Sequence, residues 1–383
     1  CFWLLLCGSG TGFSVQKHHI AKLPSLVSTV KDKRKGTKYL IEDSIEGWAD
    51  ALGALLSSYF VKPSEDKCKE LKGKYIVFDY SNIRQKGAQL SSGVGKAPGF
   101  EPLQNGLEKI RELLDKCVAN GQRKLRPIDA YDIIMHSSDA VLSGGVRRSA
   151  SLALFSPDDE DMAKAKTGNW YVDNPQRARS NNSALLLKND TTLEQFKILM
   201  ESVKEFGEPG FIWSDSTEMT FNPCVEVGMW PVDEATGKSG WQGCNLSTIN
   251  CSSVVDEDDF YDRCKAAAVI GTLQAGFTGL DYLGDTSKAI FDREALLGVS
   301  LTGIMEKHDL VLTEKVLKKG AKIAVDTNKE LSKKIHINQA ARVTCLKPEG
   351  TSSSMLGTSS GIHPHHAKRY IRHVQANILE APY

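Results

Sequence analysis

Phe221-Asn222-Pro223-Cys224-Val225-Glu226-Val227 is the stretch from which the rest of the chain is read. Taken as an extended strand, it sends successive side chains to opposite faces, so Asn222, Cys224 and Glu226 share one side. An amide, a thiol and a carboxylate on one face form a reactive group if that face lines a cavity. A buried cysteine by itself behaves as a small hydrophobe, and for a random cysteine that reading wins. Here a glutamate two residues away would share the thiol's surroundings, and glutamate is seldom buried without a purpose. About one strand and loop later comes Gly243-Cys244-Asn245-Leu246-Ser247-Thr248-Ile249-Asn250, which taken alone is as good a strand end as a site.

The bulk numbers narrow the setting. A chain of 383 residues exceeds the usual single domain, but a large α/β barrel can hold it around one core. The apolar fraction of 41% and charged fraction of 25% are ordinary for a globular protein. A formal charge of +1 gives no long-range field that would favour nucleic acid or a membrane surface. No apolar run approaches a membrane span, and the opening run 1–7 is too short and lacks the basic leader of a signal peptide. The nine cysteines are scattered, odd in number and form no Cys-x-x-Cys, which points to a reducing cytosol and mostly buried thiols. Zinc pairs and His-Glu-x-x-His are missing, so no metal site is expected. His363, His365 and His366 cluster without a neighbouring carboxylate or cysteine and are read as structural.

Apolar residues three and four apart predict helices over 103–118, 192–206, 258–277, 293–308 and 314–331, with Thr192 and Asp258 as caps. Short β-like runs lie at 75–78, 184–187, 210–213, 225–227 and 341–346. Their alternation predicts a parallel α/β architecture, with function in loops beyond the strand C-termini. Gly/Ser clusters at 8–12, 91–99, 143–150 and 350–361 each contain or flank Lys, Arg or Thr, which favours phosphate-binding loops.

Together, the two cysteine segments resemble the catalytic (alpha, large) subunit of ribonucleotide reductase, closest to its short class II-like branch. The family's finger-loop motif Asn-x-Cys-x-Glu stands as Asn222, Cys224 and Glu226, and its downstream redox cysteine, in a Cys-x-Leu-Ser-x-Ile-Asn setting, as Cys244. Segments 8–24, 42–48, 78–87, 143–150 and 347–364 also look like family segments in the right order, so the resemblance covers nearly the whole chain. It implies a ten-stranded α/β barrel of the ribonucleotide reductase and glycyl radical enzyme type with a central finger loop. Residues 1–383 would form a single catalytic barrel domain, with an effector-binding region at about 40–150, the finger loop at about 220–228, a phosphate loop at about 347–354 and no ATP cone.

The resemblance also implies roles. A thiyl radical at Cys224 takes the ribose 3'-hydrogen, Glu226 is the general base and Asn222 orients the sugar. Cys1 and Cys244 form the redox pair, with Cys7 the alternative to Cys1. Thr351, Ser352 and Ser353 bind the substrate phosphates, although a plain helix cap would explain them equally well. Asp43, Ser44, Ile83, Arg84 and Lys86 belong to the effector site. Arg147 and Arg148 lie on the loop that links effector to substrate base, where an arginine pair is otherwise most often solvated surface.

Implied partners are a ribonucleoside di- or triphosphate substrate, a dNTP or ATP effector with Mg2+, a second copy in a homodimer, and thioredoxin or glutaredoxin. A cytoplasmic place is expected, with no direct nucleic-acid or membrane binding. No cofactor is encoded in the chain. The radical comes either from a separate ferritin-like di-metal beta subunit or from adenosylcobalamin. The shortness of the chain favours the small radical-generating beta subunit, and a glycyl radical is set aside because such enzymes lack the finger-loop glutamate. Further residues are expected after Cys1, and the last barrel strands and a reducing tail beyond Tyr383. Two rivals remain: another phosphate-binding α/β-barrel enzyme, and a non-catalytic nucleotide-binding subunit.

Overall fold

Ser151-Leu-Ala-Leu-Phe155 is buried at every position, as a parallel strand covered on both faces must be. It lies in a computed structural model that describes residues 1–29, 35–60, 69–90, 96–142, 150–365, 367–369 and 371. The chain divides into two units, Cys1–Pro231 and Val232–Tyr383.

The first unit runs α1 (Phe2–Leu6), β1 (Thr11–Ser14), α2 (Lys17–Ile20), β2 (Thr37–Leu40), α3 (Ile45–Tyr59), β3 (Ile76–Asp79), α4 (Glu101–Ala119), α5 (Pro127–Leu142) and β4 (Ser151–Phe155). It continues with α6 (Glu160–Ala163), α7 (Trp170–Asp173), β5 (Ser180–Leu187), α8 (Leu193–Phe206), β6 (Gly210–Ser214), β7 (Thr220–Phe221) and β8 (Gly228–Met229). Strands β1-β4-β5-β6 form a parallel sheet, with Thr11 opposite Ser151, Ser151 opposite Ser180 and Ser183 opposite Gly210. Strands β2 and β3 pair in parallel, whereas β7 and β8 form an antiparallel hairpin around 222–227. Helices α3, α4 and α5 bury Leu55, Tyr59, Leu114 and Tyr131 completely, each leucine contributing about 1.5–3 kcal/mol by removal from water. The buried Tyr59 hydroxyl is satisfied by donating to Asp115 Oδ1 at 2.7 Å. Helix α8 starts at Thr192 with a reciprocal capping box to Gln195 and stops at Gly207 in the left-handed region.

The second unit runs β9 (Val232–Asp233), β10 (Lys238–Ser239), β11 (Asn245–Asn250), α9 (Glu257–Ala275), α10 (Gly284–Glu294), β12 (Leu297–Thr302), α11 (His308–Val311), α12 (Glu314–Lys334) and α13 (Gly350–Leu356). Strands β11 and β12 are parallel, with Leu246 opposite Gly298. Helices α9 and α12 pack together and share an apolar core with the strands through Phe260, Ala268, Val299 and Val316.

Three expectations about elements are corrected. The helix predicted over 293–308 is the end of α10, a left-handed turn at Ala295 and the fully buried strand β12. A continuous apolar run cannot be told from a buried helix by periodicity. The strand predicted over 341–346 reduces to one bridge, Val299 to Thr344, with backbone bonds from Leu297 N to Arg342 O and from Cys345 N to Val299 O. The cap of α9 is Asp256 rather than Asp258, its carboxylate accepting from Asp259 N. Among the described residues, no helix is long and apolar enough to cross a membrane.

Candidate functional site

Residues 222–227 form a turn, and the strand expected at 225–227 is absent. Val225 N donates to Asn222 O at 2.9 Å, and Val227 N donates to Asn222 Oδ1 at 3.0 Å. Val225 is held at φ 67°, a conformation that a β-branched residue adopts only when its surroundings impose it. Asn222, Cys224 and Glu226 are therefore presented by a hairpin loop and not by the pleat of a strand. Cys224 is exposed. Glu226 is half-buried, and its Oε2 is shut off from solvent with no hydrogen-bond partner among the described residues. Burying a carboxylate oxygen unpaired is costly, so this oxygen has room for a donor that the described residues do not supply.

The loop is held from beneath by two strands. A Cβ at Gly12 would lie 1.7 Å from Phe221 O, and one at Gly10 would lie 2.9 Å from Pro223 Cγ, so Gly12 of β1 approaches the hairpin backbone directly and Gly10, just before β1, approaches the Pro223 ring. From β5, Asn181 Nδ2 donates to Pro223 O at 2.8 Å. Cys1 is half-buried, with Sγ 3.3 Å from the Oγ1 of Thr11, the residue between those two glycines. The structure thus brings Cys1 to the strand that supports the finger loop. Cys7 is exposed at the C-terminal end of α1.

In the second unit, half-buried Cys244 immediately precedes β11. A Cβ at Gly298 on β12 would meet Cys244 Sγ at 3.0 Å and Cys345 Sγ at 3.1 Å, so two sulfurs flank the space left by one glycine. Cys345 carried no motif and was not singled out from the sequence. In the phosphate-loop segment, Glu349 is 3% exposed at φ 57°. Its Oε1 accepts from Thr248 Oγ1 at 3.0 Å and from Ser300 Oγ, with Lys347 Nζ at 3.7 Å, while its buried Oε2 has no partner among the described residues. Thr351 is exposed and Ser352 half-buried, but Ser353 is buried with its hydroxyl donating to Gly350 O at 3.1 Å. His363 and His365 are exposed, His363 Nδ1 lies 3.1 Å from Ser360 Oγ, and His366 lies outside the described residues.

The expected effector residues follow two paired parallel strands. Asp43 comes after β2 and Arg84 after β3, and Arg84 Nε donates to Asp43 Oδ2 at 2.6 Å. Ser44 caps α3 by accepting from Gly47 N at 2.9 Å, Ile83 is buried and Lys86 is exposed. Arg147 and Arg148, with the rest of 143–149 and residues 91–95, lie outside the described residues.

No family model matches the chain. It is 28% identical, over 88% of its own length and 43% of the relative's, to the "Probable adenosylcobalamin-dependent ribonucleoside-triphosphate reductase" of Dictyostelium discoideum. It is 26% identical, over 97% of its length and 57% of the relative's, to the adenosylcobalamin-dependent ribonucleoside-triphosphate reductase of Lactobacillus delbrueckii subsp. bulgaricus. The crystal structure of a B-12 dependent (class II) ribonucleotide reductase matches with a TM-score of 0.74 at 23% identity, covering 95% of this chain and 57% of that one. The chain spans about half the length of the curated relatives it matches.

These likenesses overturn one expectation. A separate radical-generating beta subunit was favoured because the chain is short, but it is short relative to relatives that are adenosylcobalamin-dependent by name. Length therefore says nothing about where the radical originates.

Proposed function

We propose, for a chain allied by sequence and fold to the catalytic large subunits of ribonucleotide reductases, that it carries the radical and redox centre of an adenosylcobalamin-dependent ribonucleoside-triphosphate reductase. The observation that carries this reading is the finger loop. An exposed Cys224 sits on a hairpin tip beside Glu226, whose buried Oε2 has no hydrogen-bond partner among the described residues. Adenosylcobalamin, when bound, supplies the radical, and an exposed sulfur on a projecting loop suits so bulky a group.

The chain's own residues then divide the work. Cys224, as a thiyl, takes hydrogen from ribose C3', a reversible step because S–H and activated C–H bonds are close in strength. Glu226 accepts the 3'-hydroxyl proton through its unpaired oxygen. Asn222, with Oδ1 engaged by Val227 N, leaves its Nδ2 to orient a sugar hydroxyl. The 2'-hydroxyl leaves as water with a proton from one thiol of the Cys1–Cys244 pair. That pair gives two electrons and closes as a disulfide, while Cys224 returns hydrogen to C3'. Thiol exchange with thioredoxin or glutaredoxin reopens the disulfide. Thr351 and Ser352 are the outward hydroxyls for the triphosphate. The Asp43–Arg84 pair, with Ser44, Ile83 and Lys86, would hold a dNTP or ATP effector with Mg2+ in a homodimer. Through Arg147 and Arg148 that effector would couple to substrate choice as linked binding.

The test incubates the full-length protein with ribonucleoside triphosphates, a thioredoxin system and adenosylcobalamin. Deoxynucleotide should form, and Cys224→Ser should abolish it with an unchanged circular dichroism spectrum and melting curve. No product from the wild type, or unchanged turnover in Cys224→Ser, overturns the reading and returns the chain to the non-catalytic or ordinary phosphate-binding class.

A further inference from the structure

Past the far end of β1, beyond the glycines that touch the finger loop, three side chains converge for which ribonucleotide reduction has no use. His18 Nε2 lies 3.1 Å from Glu218 Oε1, and His19 Nε2 lies 3.1 Å from Glu218 Oε2. All three donor groups offer atoms within 4.8 Å of one another. The two imidazole centroids are 3.9 Å apart. His18 and His19 are successive residues of α2, and successive helical side chains normally diverge. Their meeting on one carboxylate is therefore not a by-product of the helix.

The outer contacts point the same way. His19 Nδ1 lies 2.7 Å from Ser14 Oγ, the kind of contact on the far ring nitrogen that orients a metal-bound histidine. Ser14 Oγ accepts from Gln16 N at 3.2 Å and from Gln16 Nε2 at 3.0 Å, and the same Nε2 donates to Thr217 O at 2.8 Å. Gln16 Nε2 is shared between Ser14 Oγ and Thr217 O, so it can keep Thr217 O and release Ser14 Oγ, which frees a lone pair to accept from His19 Nδ1–H when Nε2 gives up its proton. The simpler account is a glutamate capped by two histidines. It explains each contact singly, but not why three donor atoms gather within 4.8 Å with a serine backing one of the rings.

We propose that His18, His19 and Glu218 bind a divalent transition-metal ion of the zinc class, with water completing the shell. Two neutral imidazoles and one carboxylate are the donors that such ions prefer over magnesium or calcium. Neighbouring donors in a tetrahedral zinc shell lie about 3.3 Å apart, given bonds of about 2.0–2.1 Å; the two nitrogen-to-carboxylate separations of 3.1 Å are close to that, and closing the set from within 4.8 Å needs only small side-chain rotations. Glu218 stands two residues before β7, so the ion would tie α2 to the root of the hairpin that presents Cys224. The proposal does not depend on the reductase reading.

The experiment uses full-length protein carrying Cys7→Ser and Cys224→Ser, so that exposed thiols do not compete, stripped of metal by chelator and titrated with Zn2+ and Co2+. One equivalent should bind, and the cobalt form should show visible ligand-field absorption. His19→Ala and Glu218→Gln should each weaken binding at least about 100-fold, and Ser14→Ala about 10-fold. His18→Gln, at a half-exposed position that disturbs little packing, serves as the second variant and should also lose the cobalt band. His308→Ala should bind like the parent. Absence of stoichiometric binding, or binding that survives both His18→Gln and Glu218→Gln, overturns the proposal.

Discussion

Replacing Gly12 with alanine tests the support of the finger loop most directly. The new methyl would sit 1.7 Å from Phe221 O and 2.9 Å from Phe221 C. Non-bonded carbons settle at about 3.5–4.0 Å, so something must retreat by more than about 1.5 Å. Strand β1 is poorly free to yield, because Gly12 is paired opposite Leu152 in the central parallel sheet. Strand β7 is a two-residue piece bonded to β8, so the displacement passes to the loop that carries Cys224 and Glu226. Overpacking of this kind costs about 1–3 kcal/mol, from which about 0.4–1 kcal/mol is regained by stiffening the unfolded chain. Catalysis should suffer more, since a misplacement of about 1 Å at reacting groups can cost about 100-fold in rate. The assay is urea denaturation paired with deoxynucleotide formation. Gly53→Ala in α3 is the control, because its Cβ meets nothing within 4 Å and it should gain about 0.5–1 kcal/mol. Should Gly12→Ala equal Gly53→Ala in both measurements, the close approach does not exist and the reasoning fails.

Three further outcomes are expected. Burial pushes the thiol of Cys251 up to about 12 and those of Cys117 and Cys264 up to about 11, so at pH 8 iodoacetamide should label exposed Cys7 and Cys224 and spare these three until the protein is denatured, as peptide mapping would report. Because the folded values lie above the ordinary value near 9, their contribution is complete below pH 9 and is lost as pH rises towards 11–12; stability that instead rises over that window would contradict the burial. Asn181→Ala removes the donor to Pro223 O at an exposed position, so unfolding should shift by no more than about 1.5 kcal/mol while turnover falls about 10-fold or more with little change in KM; a KM effect alone would place Asn181 in substrate binding instead.

What could be read in the sequence follows from range. Helices α4, α8, α9 and α12 are long enough for the 3.6-residue rhythm to declare itself, and their ends fall within a few residues of expectation. Strand β12 was lost to a helix reading because a strand covered on both faces shows no alternation. The grouping of Asn222, Cys224 and Glu226 in one short segment was legible from the sequence, but its geometry was not, since nothing local announces a left-handed valine. The supports were beyond reach altogether. Gly12 against Phe221, Asn181 against Pro223, Gly298 between two cysteines, and His18 and His19 against Glu218 are meetings of distant residues. The histidines at 363–366 drew attention because they cluster in the chain, whereas Glu218 stands about two hundred residues from its partners.

Gly298 sets a limit on oxidation in the second unit. The sulfurs of Cys244 and Cys345 each lie near its missing side chain, and so within about 6 Å of each other. Yet their backbones belong to segments on either side of β12, two ladder spacings apart, or at least about 9.5 Å, whereas a disulfide tolerates about 6.8 Å between α-carbons. The two thiols cannot lock together while the ladder stays closed. A disulfide between Cys244 and Cys345 would therefore report that β12 had left its ladder, not that the folded unit had been oxidised.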